Sequence, residues 1–141
     1  MRLTVRLAVS VGMALSLAAC ATTRPPPVPA CPDGQQRLRT AQLFFGRNLG
    51  GKPGVSEAAF AKFVDEELTP RFPDGLTVID GGSQWRGPEN KLIRESAKVV
   101  LIVLPKRGDA LHSIEAVRGA YKTRFKQESV VLITQPACVS F

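Results

Sequence analysis

The chain has 141 residues, a formal net charge of +7, 44% hydrophobic residues and 22% charged residues. This length allows one domain with one modest core. No apolar run beyond the first twenty residues is long enough for a transmembrane helix, so a further membrane-spanning helix is not expected.

The first twenty residues predict export and lipidation. Arg2 and Arg6 form a positive n-region, and Leu7–Ser16 is an apolar run too short to cross a bilayer. Leu17-Ala18-Ala19-Cys20 then matches a bacterial lipobox. We expect residues 1–19 to be a signal peptide and Cys20 to carry the acyl chains, palmitate among them, that anchor the protein. Ala21 is not acidic, which favours the outer membrane, with the protein facing the periplasm. The alternative is an ordinary signal peptide followed by a chance cysteine.

An exported basic chain has a restricted set of partners. Its positive charge suits lipopolysaccharide, phospholipid head groups or acidic glycan, although a solubilising surface is the more ordinary explanation of the charge. Nucleic acid is not expected outside the cytoplasm. Residues 20–37 form a tether whose Arg24–Pro29 stretch favours a semi-rigid polyproline II spacer.

The rest of the chain, residues 38–141, predicts one α+β domain. Alternation and helical spacing first predict a strand at Thr40–Arg47, a loop at 48–54 and a helix capped by Ser56 that stops near Thr69. Two strands follow, at Leu76–Arg86 and Lys91–Leu104. The chain ends with a helix capped by Asp109 and a strand at Ser129–Gln135. The pair Gly81-Gly82 marks a bend in the second strand that could shift its register. Pro136 and Cys138 are expected beyond the regular part of the last strand.

The order β-α-β-β-α-β predicts a ferredoxin-like fold. Right-handed crossovers then require a four-stranded antiparallel sheet, in the order fourth, first, third, second, with two helices on one face. The rival is another α+β sandwich built from the same elements. The third strand is apolar on both sides, and Phe44 and Trp85 could lie on the face without helices. A homodimer through that open sheet face is therefore expected.

The two cysteines other than Cys20 predict a disulfide. In the expected sheet the end of the last strand lies near the start of the first, which brings Cys138 towards Cys31, and the periplasm is oxidising. Two free thiols are the alternative. The sequence has no Cys-x-x-Cys motif and no cysteine and histidine cluster at metal-ligand spacing, so neither a metal nor another cofactor is expected.

One stretch carries a family resemblance. Thr69-Pro70-Arg71-Phe72-Pro73-Asp74-Gly75-Leu76-Thr77-Val78 resembles, at all ten positions, the signature of the bacterial family known as domain of unknown function 3574. The downstream Gln84-Trp85-Arg86 and the terminal residues 136–141 are also similar to that family. The resemblance implies membership and no activity, because the family has none assigned.

The same stretch has two physical interpretations. In the structural interpretation, Phe72 packs at one end of the core, and Arg71 caps the carbonyl groups at the end of the first helix. In the functional one, Arg71 binds an anion and Asp74 orients it.

The hairpin formed by the second and third strands also has two interpretations. Asp80, Gln84 and Arg86 can pair across the hairpin with Arg94, Glu95 and Lys98 of the opposite strand. Alternatively, together with Trp85 as a stacking group, they form a polar ligand cleft.

The function predicted from the sequence is a lipid-anchored, non-enzymatic binding or interaction module with an unknown envelope partner or ligand. The alternative is a small ferredoxin-like enzyme with a pocket between its helices and its sheet. No catalytic residue is predicted, since the sequence shows no nucleophile elbow, phosphate loop, HExxH motif or Rossmann glycine pattern.

Overall fold

The computed structural model describes residues 29–141. The predicted signal peptide, Cys20 and most of the tether lie outside these residues. Within the described part, no helix is long and apolar enough to cross a membrane. The main elements are β1 (Gln36–Gly46), α1 (Glu57–Phe63), β2 (Thr77–Arg86), β3 (Leu92–Leu104), α2 (Ala110–Phe125) and β4 (Val131–Val139).

The four long strands form one antiparallel sheet in the order β4-β1-β3-β2, as predicted. The two central strands, β1 and β3, are paired from Arg39 with Leu104 to Gly46 with Ala97. On β1, Leu43 lies between Val100 on one side and Leu132 on the other. The predicted α+β class with two helices and a four-stranded antiparallel sheet is confirmed.

Both predicted helix caps are present. The Ser56 side chain accepts a hydrogen bond from the Ala59 amide at 3.1 Å, and Asp109 accepts one from the His112 amide at 2.9 Å, so each satisfies a free donor of the first turn. After Phe63 the first helix continues as a π-helical turn, Val64–Leu68. Thr69 still has helical backbone angles, and the helix ends there because Pro70 has no amide hydrogen to continue the series of hydrogen bonds.

The space between the helices and the sheet is filled by aromatic rings. Tyr121 of α2 lies 4.7 Å from Phe45 of β1 and 5.0 Å from Phe63 of α1, measured between ring centroids, and all three side chains are fully buried. The edge-to-face geometry of these pairs adds to the free energy of burial. The Tyr121 hydroxyl donates to the Gly46 carbonyl at 2.8 Å, so its one polar atom is satisfied inside the core.

The boundaries of the outer strands correct the sequence prediction. Strand β1 begins at Gln36, four residues earlier than expected, and takes in the last residues of the predicted tether. Strand β4 runs to Val139, so the expectation that Pro136 and Cys138 lie beyond its regular part is wrong: they pair with Arg39 and Arg37 of β1. Proline is tolerated there because β4 is an edge strand, whose outward amide needs no partner strand.

Two smaller differences concern glycine-rich segments. The predicted loop at 48–54 contains a short hairpin, Asn48–Leu49 with Lys52–Pro53. At Gly81-Gly82 the register of β2 against β3 does not shift, since Gly81 pairs with Ala97 and Gly82 with Ser96 in an unbroken series.

The predicted disulfide is present. Cys31 and Cys138 are bonded, and their Cα atoms lie 5.5 Å apart, within the ordinary range for a bridge. The bond joins the chain just before β1 to the end of β4, which is the contact that the strand order predicted.

Candidate binding groove on the open sheet face

The helices cover one face of the sheet and leave the other open. Because side chains alternate along a strand, the strand register assigns each one to a face. Four large apolar side chains on the open face are between 44% and 54% exposed: Ile79, Trp85, Val131 and Ile133. Phe44 also lies on this face and is half-buried. The expectation that Phe44 and Trp85 lie on the open side is confirmed by the register.

A groove of about 890 Å³ occupies one end of the open face. Its apolar floor is made by Leu38 of β1 together with Leu101 and Val103 of β3. Amide and hydroxyl side chains border this floor: Gln36, Thr40, Gln42 and Gln135. A concave apolar surface with a few hydrogen-bonding groups is typical of small-molecule sites.

Two loops and the C-terminus form the rim of the groove. The segment from Asp74 to Thr77 borders one side, and Pro105, Lys106 and Arg107 border the other. Lys106 donates to the Gln36 side chain at 2.8 Å, which holds this lysine at the rim. Phe141, which is 95% exposed, also borders the groove.

The signature stretch shapes the end of the first helix and one side of the groove. Arg71 donates to the Glu67 carbonyl at 2.7 Å and to the Glu67 carboxylate at 2.9 Å, while Phe72 is buried in the core. These are the contacts of the structural interpretation, in which Arg71 caps the helix. Among the described residues Arg71 is held by Glu67 and not by Asp74, which lies instead at the rim of the groove.

The polar hairpin residues pair across the two strands. Asp80 pairs with Lys98, and Arg94 donates to the Gln84 side chain at 2.7 Å. Arg86 donates to the backbone carbonyl and side chain of Asn90, each at 3.2 Å, which closes the turn. The register places these side chains on the helix face of the sheet and Trp85, with Glu95, on the open face, so Asp80, Gln84 and Arg86 do not form one cleft with the tryptophan.

A buried lysine links the hairpin to the first helix. The Lys98 side chain is 7% exposed, and its ammonium lies 2.6 Å from Glu57 and in contact with Asp80. Arg47 also pairs with Glu57. Hydrogen bonds from Lys98 lower the pKa of both carboxyl groups, and the same bonds raise the pKa of Lys98. All four charges are matched, which is the geometry of a structural ion-pair network.

Of the residues that line the groove, reasoning from the sequence alone proposed only Asp74 as a ligand-binding residue. The available signal was the alternation in β1, where Leu38, Thr40 and Gln42 fall on the face without helices. Recognising a groove there required the positions of the two loops that border it. Within the described residues, no group of three or more His, Cys, Asp and Glu side chains is placed to hold a metal ion.

The chain belongs to the family described as "Protein of unknown function (DUF3574)", whose model matches residues 40–141. This confirms the family resemblance of the signature stretch. No curated protein matches the chain.

The chain is similar to several solved structures. A phage SAM lyase in complex with S-methyl-5'-thioadenosine is 18% identical, with a TM-score of 0.56, over 82% of this chain and 97% of that chain. The same lyase in its apo state is 17% identical, with the same TM-score and coverage. CutA from Synechococcus elongatus is 8% identical, with a TM-score of 0.48, over 72% of this chain and 78% of that chain. At these identities the likeness to the lyase shows the fold alone.

Proposed function

We propose that this protein is a lipid-anchored envelope protein that binds an amphipathic ligand in the groove on the open sheet face, without catalysing a reaction on it. The observation that carries the proposal is the groove itself, with its aliphatic floor, its uncharged polar border and a rim that holds two cations, Lys106 and Arg107, against one carboxylate, Asp74. A groove with this lining can bind a ligand by burying its apolar surface and by forming hydrogen bonds with its polar groups. The alternative of a small enzyme stays a prediction.

The lining of the groove indicates the chemistry of the ligand. Leu38, Leu101 and Val103 favour an apolar body. Lys106 and Arg107 lie at the rim of the groove, next to this apolar floor. Their positive charges favour an anionic group on the ligand, such as a phosphate or a carboxylate. The ligand class proposed is therefore a small amphipathic anion.

The position of the groove supports a role close to the membrane. Gln36 and Leu38 lie at the start of β1, so the groove is at the end of the domain where the tether enters. The tether between the predicted anchor at Cys20 and the disulfide at Cys31 spans at most about 35 Å if it is extended as polyproline II. An amphipathic anion of the envelope would be found within that distance of the bilayer surface.

Titration with octyl phosphate tests the proposal. The chain from Ala21 to Phe141, exported with a cleavable leader, should bind octyl phosphate in isothermal titration calorimetry. Thr40→Trp, which fills the groove, should weaken binding by about tenfold or more, equivalent to about 1.4 kcal/mol. Ile133→Trp is the matched control, because Ile133 lies on the same face outside the groove and should leave binding unchanged.

The rim is tested separately. Arg107→Gln should weaken binding of octyl phosphate and leave binding of neutral octyl glucoside unaffected. Absence of octyl phosphate binding by the unmodified chain, or equal loss in the Thr40→Trp and Ile133→Trp variants, would contradict the groove as the binding site.

A further inference from the structure

Strand β2 is exposed on both of its faces. Nine of its ten residues are exposed and only Ser83 is half-buried. Three of the exposed side chains are large and apolar: Val78 at 39%, Ile79 at 46% and Trp85 at 44%. An exposed strand that carries such residues is a candidate for an interface.

The outer edge of β2 is also unprotected. Within the described sheet β2 pairs with β3 on one side only. Edge strands that avoid association often carry proline, lysine, a bulge or several charges, and β2 has only two charged residues, Asp80 and Arg86, which are of opposite sign and do not repel a second copy as a set. The opposite edge strand, β4, carries Pro136, which cannot donate to a further strand.

We propose that β2 pairs antiparallel with β2 of a second copy of this chain, around a two-fold axis at Ser83. Two four-stranded sheets then join edge to edge into one sheet of eight strands. Backbone hydrogen bonds supply the attraction, as in other cases of strand addition.

The side chains of β2 are self-complementary in this register. A continuous sheet requires that residues directly opposite each other lie on the same face. With Ser83 on the axis, Arg86 of one copy lies opposite Asp80 of the other, on the helix face. Directly opposed side chains have Cβ atoms about 4.5–5.5 Å apart, close enough for the two opposite charges to pair. The Asp80 side chain is 82% exposed, so it can accept this contact while it holds Lys98.

The open face is complementary in the same register. Trp85 of one copy lies opposite Gly81 of the other, and the bare glycine leaves room for the indole. Ile79 is its diagonal neighbour, within reach of an aromatic ring. Both exposed apolar residues of this face of β2 are thereby covered.

Other registers that keep the faces matched fit less well. An axis at Gly82 places each Arg86 opposite Val78, so neither arginine meets an acid. The charge complementarity of β2 therefore favours a second copy of this chain in the Ser83 register.

The edge pairing does not depend on the proposed ligand. It leaves the groove open, whereas the sheet-to-sheet dimer predicted from the sequence would cover the face that holds it. The two arrangements can be distinguished in the membrane.

Cysteine cross-linking of the full chain in native membranes tests the register. Opposed residues of an antiparallel pair have Cα atoms about 4.5–5.5 Å apart, which allows a disulfide. Ser83→Cys should convert most of the protein to a dimer on a non-reducing gel. Thr77→Cys is the control on the same exposed strand. In the proposed dimer the two cysteines at position 77 would lie about 40 Å apart, so no cross-linked dimer should form.

The absence of a cross-link in Ser83→Cys would overturn the proposal. A cross-link in Gly82→Cys in its place would then indicate a different register. A full chain that sediments as a dimer in detergent, while Ser83→Cys stays uncross-linked, would instead indicate a sheet-to-sheet dimer.

The charge pair is tested without a cysteine. Arg86→Glu should weaken the dimer of the full chain in detergent by about tenfold in sedimentation equilibrium, because two acidic groups then face each other. Arg86→Lys keeps the positive charge and should retain the dimer. Circular dichroism of both variants checks that the hairpin turn is preserved, and equal dimerisation of Arg86→Glu and the unmodified chain would contradict the pair.

Discussion

At the scale of single residues, Lys98 shows how a charged side chain is accommodated in a mostly apolar interior. Its stem packs beside Phe60, with the ammonium 5.9 Å from the ring centroid, and its charge is matched by Glu57 and Asp80. The pair with Asp80 was predictable from the two-residue repeat of the hairpin. The contact with Glu57 was not, because the two residues meet only when α1 packs on the sheet.

This network predicts a specific acid response. Lys98 lowers the folded-state pKa of Glu57 and Asp80 below their ordinary values of 4.5 and 3.8. Their contribution to stability is therefore present above those ordinary values and is lost as the pH falls through the lowered ones. Lys98 behaves in the opposite sense, since its raised pKa contributes stability below its ordinary value of 10.5 that is lost as the pH rises through the raised one.

The free energy of unfolding should therefore fall less between about pH 6 and about pH 3 in Lys98→Met than in the unmodified chain, as measured by urea denaturation at each pH. Lys62→Met is the control, because the Lys62 pair with Glu66 is solvent-exposed and long, at 3.7 Å. Identical pH profiles for the unmodified chain and Lys98→Met would show that the network does not contribute to stability.

At the scale of elements, the residues at the helix ends predicted the element boundaries better than the residues at the strand ends did. Ser56 and Asp109 begin the helices, and Pro70 ends the first, because capping and proline geometry act within a few residues. The ends of β1 and β4 were predicted less well. Their last pairs depend on each other across the sheet, which extends both strands beyond their regular alternation.

The disulfide fixes this same pair of strands. Replacing both Cys31 and Cys138 with serine should lower the unfolding free energy by up to about 4–5 kcal/mol, because the bond closes a loop of about a hundred residues in the unfolded chain. Urea denaturation of the double variant against the oxidised protein measures the loss. An unchanged denaturation midpoint, or two thiols that titrate in the native protein without reductant, would contradict a stabilising bridge.

At the scale of the whole molecule, the disulfide joins the segment before β1 to the C-terminal strand. The Cys31–Cys138 bond holds the C-terminus to the end of the tether, and the groove lies at that end. If the predicted tether is present, this bond fixes the point at which it meets the domain. Lipidation and placement at the outer membrane stay predictions, since the residues that carry them lie outside those described.

Lipidation can be measured directly. Mass spectrometry of the N-terminal peptide should show acyl chains on Cys20, and Cys20→Ala should lose lipid modification and its lipid-dependent place in the outer membrane. Density fractionation of envelopes measures the second effect. An unmodified N-terminus at Ala21 or later, or a Cys20→Ala protein still in the outer-membrane fraction, would refute the lipobox.

The sequence by itself determined the order of the elements, the strand order β4-β1-β3-β2 and the approach of Cys31 to Cys138. These follow from side-chain periodicity, local caps and the handedness of crossovers, which act through neighbouring residues or through general rules of chain geometry. The signature stretch likewise placed the chain in its family, but it left two interpretations of Arg71 open, and only the structure showed the contacts of Arg71 with Glu67.

Only the tertiary structure decided where a ligand can bind. The groove combines Leu38, Asp74 and Leu101 with the Pro105–Arg107 loop, which come from separate parts of the chain. No local pattern encodes the height of a loop above a sheet, because that height is set by packing. The same reason explains why Trp85 and Gln84, adjacent in sequence, lie on opposite faces and do not form one cleft.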